Sequence, residues 1–301
     1  MTISIEPTPR QSTSAQPPDE AAATTPVREE LPLIVIDGST HWGRWLADVH
    51  QYRGALYSLA WRNVRSRYKQ AALGMSWALI QPVVQVGVFT VLFGIIARVP
   101  SGDVPYPLFA LAALLPWNLF ARVVSDGSQS LVTNQHIVTK LFFPRIFLVL
   151  AAGASAFLDA AVTGVMLALF MVAYRVAPGM DVWLVIPAFL GLTFFAYGFS
   201  ALLAAVNARW RDVQHTVPFL LQIGLFLTPV LYPPLVVPQR FRWLAALNPL
   251  TGWIELFRSS VLGRPLPATD VMLQSVGMSL VVAVFGFWYF ARAERTMVDL
   301  V

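Results

Sequence analysis

Six long apolar stretches dominate this chain and leave it few ways to fold: Met75–Ile96, Tyr106–Val124, Ile146–Tyr174, Trp183–Val206, Val217–Tyr232 and Val271–Phe290. A helix needs about 20 predominantly apolar residues to cross a hydrocarbon core of about 30 Å. A chain of 301 residues has length enough for two soluble domains, but only 12% of its residues are charged, against about 25% in soluble domains. The expected fold is therefore all-α, a polytopic membrane protein with six transmembrane helices in a domain over 75–293. The fifth stretch is the shortest and runs into Thr228-Pro229 and then Pro233-Pro234.

Several chemistries are excluded at the outset. The chain has no cysteine, hence no disulfide, thiolate metal site or thiol nucleophile. Its histidines, His41, His50, His136 and His215, are scattered and form no HExxH pattern. The two lysines, Lys69 and Lys140, do not follow glycine, so a Walker A phosphate loop is absent. No cofactor and no metal site are expected in this chain, and any ATP that drives it must sit on another chain.

The net charge of +5 suits either nucleic acid or a membrane surface, and the placement of the charges decides. Residues 1–30 hold five prolines among polar residues and show no apolar periodicity, which predicts a disordered tail without the apolar run of a signal peptide. Residues 31–51 form a lead-in whose Leu31–Ile36 run suits a short strand or docking segment. Over 52–74, helical spacing puts Tyr57, Trp61, Val64, Tyr68 and Ala71 on one stripe, with Arg62, Arg65 and Lys69 on one flank and Arg67 on the other. This is the pattern of an amphipathic helix lying in the membrane interface; a soluble helix packed on a partner is the alternative, and nucleic acid is set aside because a membrane segment follows at once. With the N-terminus inside, most Arg and Lys fall in inside loops, among them Arg122, Lys140, Arg145, Arg209, Arg211, Arg292 and Arg295. Both termini are thus expected in the cytoplasm, including 294–301.

Three features are not plain membrane anchors. The expected inside loop Ser125–Arg145 holds a segment, about 128–143, in which Asp126 or Ser128 caps a short helix with Leu131, Ile137 and Leu141 as apolar points. Such a helix suits a groove on another protein, and a solvated loop is the plainer alternative. The outside segment of about 234–264 is too apolar to be solvated, and Asn248-Pro249 divides it into two pieces too short to span, which predicts two re-entrant helices. Asp159 is the one acid read as deep in a span, a functional candidate or a hydrogen-bonded packing residue. Glu255 and Arg258, spaced i,i+3, are expected to pair. Trp77, Tyr106, Trp117, Trp183, Trp243 and Trp288 suit interfacial belts. Phe120, Phe194, Phe195, Phe199 and Phe226 lie within spans, facing lipid or lining a conduit in which sugar rings would stack.

The motifs, in order, resemble the permeases of polysaccharide-export ABC-2 type transporters. They are Tyr68-Lys69-Gln70 with Leu73-Gly74, Trp77 and Gln81-Pro82; Pro105-Tyr106-Pro107; Leu115-Pro116-Trp117; Lys140 with Phe143-Pro144-Arg145; Arg211-Asp212-Val213; Thr228-Pro229-Val230 with Tyr232-Pro233; and Leu247-Asn248-Pro249 with Glu255 and Phe257-Arg258. The likeness covers about 40–295. It implies a homodimer in the bacterial inner membrane, bound to two copies of an ABC ATPase subunit that carries ATP and Mg. A lipid-linked polysaccharide such as O-antigen would pass between the two permease chains, with membrane lipids around them and no nucleic acid. This chain would be a transport subunit rather than an enzyme, without catalytic residues. The resemblance assigns Tyr57, Trp61, Arg62, Arg65, Tyr68 and Lys69 to the interface helix, and Leu131, Asn134, His136, Ile137, Lys140 and Leu141 to ATPase coupling. Candidates for the translocation path are Trp117, Phe120, Asp159, Phe226, Asn248, Glu255 and Arg258. The competing readings are an ion-coupled secondary transporter with Asp159 as carrier and an ABC-2 exporter of a small lipid or drug. A membrane transferase lacks the acid or histidine cluster it would need.

Overall fold

The computed structural model describes residues 52–69, 76–138, 144–236, 238, 240 and 247–294. The described residues are helical, with no strand among them. Helix α1 is Arg53–Lys69, α2 is Ser76–Phe89 continued by a π-helical turn over Thr90–Ile96, and α3 is Tyr106–Thr133. After Asn134 comes the single turn α4, Gln135–Val138, then α5 (Ile146–Ala152) and α6 (Ala154–Ala173). A 3₁₀ turn, Val182–Leu184, leads into α7 (Val185–Arg209), followed by α8 (Val213–Leu227), α9 (Pro249–Leu262) and α10 (Thr269–Glu294).

Five units are long and apolar enough to cross a membrane: α2 with its π turn, α3, α5–α6, α7 and α10. The chain is thus an all-α polytopic membrane protein. The fifth expected span is the exception. It occupies Val213–Leu227 rather than Val217–Tyr232, and its 15 residues reach only about 22 Å at the helical rise. Pro229 sets the limit: the residue before a proline is driven out of the helical region, and Thr228 is extended, with ψ at 139°.

Helix α3 is the centre of the molecule. It touches α2, α5, α6, α7, α8 and α9, and its apolar span is 78% buried where that of α2 is 11% buried. It also runs nine residues beyond Val124, through the polar stretch read above as a loop. Ser128 and Ser130 return their hydroxyl protons to the carbonyls of Ser125 and Gly127, which lets small polar residues stay inside a helix. Asn207 of α7 donates to the Ser128 carbonyl at 2.9 Å. Asp126 and Ser128 therefore cap nothing, and the separate short helix begins at Gln135.

Helices α7 and α10 approach at glycine. A Cβ on Gly286 would lie 2.0 Å from the Gly198 carbonyl oxygen, and one on Gly198 would lie 2.3 Å from the Ala283 Cα. The third span breaks at Gly153, where the Tyr197 hydroxyl sits 2.7 Å from the position of a Cβ and donates to the Leu150 carbonyl at 3.1 Å. A second core joins Leu131, Phe147, Val149, Ala204 and Phe290, and Tyr52, just before α1, packs against it with Leu56 and Leu59 of α1.

Candidate coupling site and translocation face

Helix α1 rests on α5 and α6. The face that packs is the one bearing Tyr52, Leu56 and Leu59. The expected aromatic stripe is divided: Tyr57 and Trp61 point away, 71% and 57% exposed, while Tyr68 turns back into the protein. Arg65 is exposed. Lys69 ends the helix, and residues 70–75, including Ala71 of the stripe, lie outside the described residues.

The C-terminal turn of α1 enters a charged cluster. Arg67 lies 3.1 Å from the Asp159 carboxylate of α6 and 3.6 Å from the Asp126 carboxylate of α3. Arg122 approaches Asp159 at 3.9 Å. The Tyr68 hydroxyl donates to Asp159 at 2.5 Å. Ser155 receives a bond from Arg67 and gives one to Asp126, at 3.4 and 3.5 Å. Burial, followed by the bond to Asp159, pushes the Tyr68 phenol up to about 12, so it remains a proton donor at neutral pH. Asp159 is therefore not the one acid in a span. The extension of α3 brings Asp126 into the membrane-spanning helix that already carries Arg122. Cutting that helix at Val124 hid the cluster; the i,i+4 spacing of Arg122 and Asp126 was the signal that could have joined them.

Of the residues assigned to ATPase coupling, Leu131 is buried in the second core, so it anchors the end of α3 and presents nothing outward. Asn134 caps the end of α3 and accepts a hydrogen bond from Arg62 at 2.8 Å. His136 is exposed and shares the single turn α4 with Ile137. Lys140 and Leu141 lie outside the described residues.

The path candidates separate into three groups. Trp117 and Phe120 are core residues, each 4% exposed. Phe120 stacks on Phe195 at 5.4 Å and Phe199 at 6.4 Å, so these rings fill the protomer rather than face an opening. Phe226 is half exposed on α8. Asn248, Glu255 and Arg258 build a clasp on the far side of the molecule from Asp126. Asn248 caps α9 by accepting from the Leu250 amide, with Pro249 behind it and Gly263, at a φ of 64°, ending the helix. Its amide also donates to Thr228 Oγ1 at 2.7 Å. Arg258 is fully buried. It pairs with Glu255, donates to the Val230 carbonyl at 3.4 Å and lies 4.1 Å from the centre of the Phe109 ring. Tyr106 donates to Leu231 at 2.8 Å. The turn that ends α8 is thereby held by three side chains from α3 and α9. Of the first piece expected between about 234 and Asn248, residues 237, 239 and 241–246 lie outside the described residues; the second piece corresponds to α9, which is buried along nearly its whole length.

Among the described residues no group of three His, Cys, Asp or Glu stands close enough to hold a metal. The family model for "ABC-2 type transporter" matches residues 54–262. The O-antigen export system permease protein RfbA of Myxococcus xanthus is 28% identical over 243 residues, which cover 79% of this chain and 92% of that protein. An RfbA permease of Klebsiella pneumoniae is 27% identical over 228 residues, 73% of this chain and 87% of that one. The polysialic acid transport protein KpsM of Escherichia coli is 22% identical over 241 residues, covering 78% and 92%.

Proposed function

Because the chain belongs to the ABC-2 type transporter family, we propose that it is the permease subunit of an ATP-driven exporter of a lipid-linked polysaccharide of the O-antigen class. The observation that carries this reading is the match to O-antigen export permeases along most of both chains. It acts as a homodimer in the bacterial inner membrane, with both termini in the cytoplasm. Two copies of a separate ABC ATPase bind below it, and those subunits hold ATP and Mg. The α4 region, within the 128–143 segment, seats in the ATPase, and α1 lies along the cytoplasmic membrane surface with Tyr57 and Trp61 turned to lipid.

The surface supports a path between two copies. Helices α2 and α8 are among the least covered, and each exposes a glutamine, Gln81 and Gln222, among apolar side chains. A polar side chain at membrane depth faces a partner or water rather than lipid. Asp159 is engaged by Arg67, Tyr68 and Arg122 rather than open to a conduit, which weighs against its use as an ion carrier.

The test is co-purification from the producing cell followed by reconstitution. A tagged chain retains a stoichiometric ATPase and loses it when 135–138 is replaced by Gly-Ser. A chain that purifies alone and still transports on an ion gradient overturns the reading.

A further inference from the structure

Helix α1 is joined to the protomer in two chemically different ways. Its N-terminal half packs apolar side chains, Tyr52, Leu56 and Leu59. Its C-terminal half is held by polar groups. Arg62 bonds to Asn134 at the end of α3, and Arg67 reaches Asp126, two turns earlier on the same helix. These two straps tie α1 to the C-terminal turns of α3. Among the described residues the charged link from α1 to α6 runs through one carboxylate, Asp159, which takes both Arg67 and Tyr68, beside the neutral bond from Arg67 to Ser155.

Resting on the exporter reading above, we propose that Asp159 is the positioning residue that passes movement of α1 and the end of α3 to the third span, with Arg67 dividing its contact between Asp126 and Asp159. Three observations favour a working joint over a plain staple. Arg67 already stands between two acids on different helices, nearer to one than the other. The two guanidinium groups and two carboxylates balance, so an exchange of partners buries no new net charge. Each of the four side chains keeps 23–33% of its surface open, which holds the cost of exchange below that of breaking a sealed pair. Asn134 adjoins the segment that meets the ATPase in the exporter reading, and Arg62 ties it to the same helix as Arg67. A push at that segment therefore arrives at Asp159.

The experiment uses the full complex with its ATPase in proteoliposomes and in the producing cell, read as ATP hydrolysis and as polymer at the cell surface. Asp159→Asn and Arg67→Gln are expected to lower export about tenfold while the ATPase stays bound and hydrolyses at the wild-type rate. Tyr68→Phe, which keeps the ring, gives a smaller loss of the same kind. The exchanged pair Arg67→Asp with Asp159→Arg regains a large part of the export lost in either single variant. Variants that export normally overturn the proposal. So do variants that lose hydrolysis and export in proportion, or an exchanged pair no better than its parents, since a purely structural ion pair behaves in those ways. If the wild-type complex proves independent of ATP, the exporter reading falls and this inference with it; if the wild type is ATP-driven and the variants stay coupled, only this inference falls.

Discussion

Arg258 is the residue whose environment makes the strongest demand. A fully buried guanidinium is tolerable only with its charge met, and Glu255 supplies that one turn earlier on α9. The Phe109 ring face adds a cation–π contact. Removing one partner of such a pair leaves the other uncompensated, which costs roughly 3 kcal/mol. Glu255→Gln is therefore expected to lower the thermal midpoint in detergent clearly, and the paired replacement Glu255→Leu with Arg258→Met less than the single one. If the two are equally destabilised, or the single variant is neutral, the buried charge is satisfied in some other way. The i,i+3 pairing could be read from the chain. Its burial could not, because the turn at Val230 and the ring at Phe109 that enclose Arg258 arrive from distant helices.

At the scale of elements, hydropathy locates the long helices because bilayer thickness sets their length. It fails where composition and environment part company. Ser125–Ser130 looks like a loop since it is small and polar, yet Ser128 and Ser130 are buried against α7 and the helix passes straight through. The charged cluster is half visible for the same reason: Asp159 stands out in an apolar span, whereas Asp126 falls in the polar stretch that resembles a loop. Helix α1 was recognisable as amphipathic, but periodicity alone cannot say which edge of the stripe meets protein, and Tyr57 and Trp61 proved to be on the outer one. Close helix contacts are equally silent in a pattern of apolar residues. Gly286→Ala drives a methyl group into the backbone of α7 and is expected to destabilise by about 1–3 kcal/mol. Gly277→Ala on the same helix, where nothing lies within 4 Å, is expected to be neutral or mildly stabilising. Thermal unfolding of the two variants side by side checks the contrast; equal midpoints would mean that α7 and α10 separate at little cost.

Burial is uneven among the described helices. Helix α3 is wrapped on all sides, while α2, α8 and α10 keep broad apolar faces outward. In the proposed dimer, part of that surface is covered by the second copy. The absence of native cysteine makes this direct to examine. Phe226→Cys on α8 is expected to form disulfide-linked dimers in native membranes, and Leu169→Cys, exposed on α6, is not. The reverse result would place the second copy on another face.

The central position of α3 also sets the order in which the protein can be made. Of the helices that enclose it, only α2 is synthesised earlier; α5 through α9 all follow. A nascent chain that stops after α3 leaves Arg122 and the Ser128 carbonyl without the partners that Asp159 of α6 and Asn207 of α7 later supply. During insertion α3 therefore stays incompletely covered until α7 emerges, and a chain cut short before that point presents to membrane proteases a helix face that the finished protein conceals.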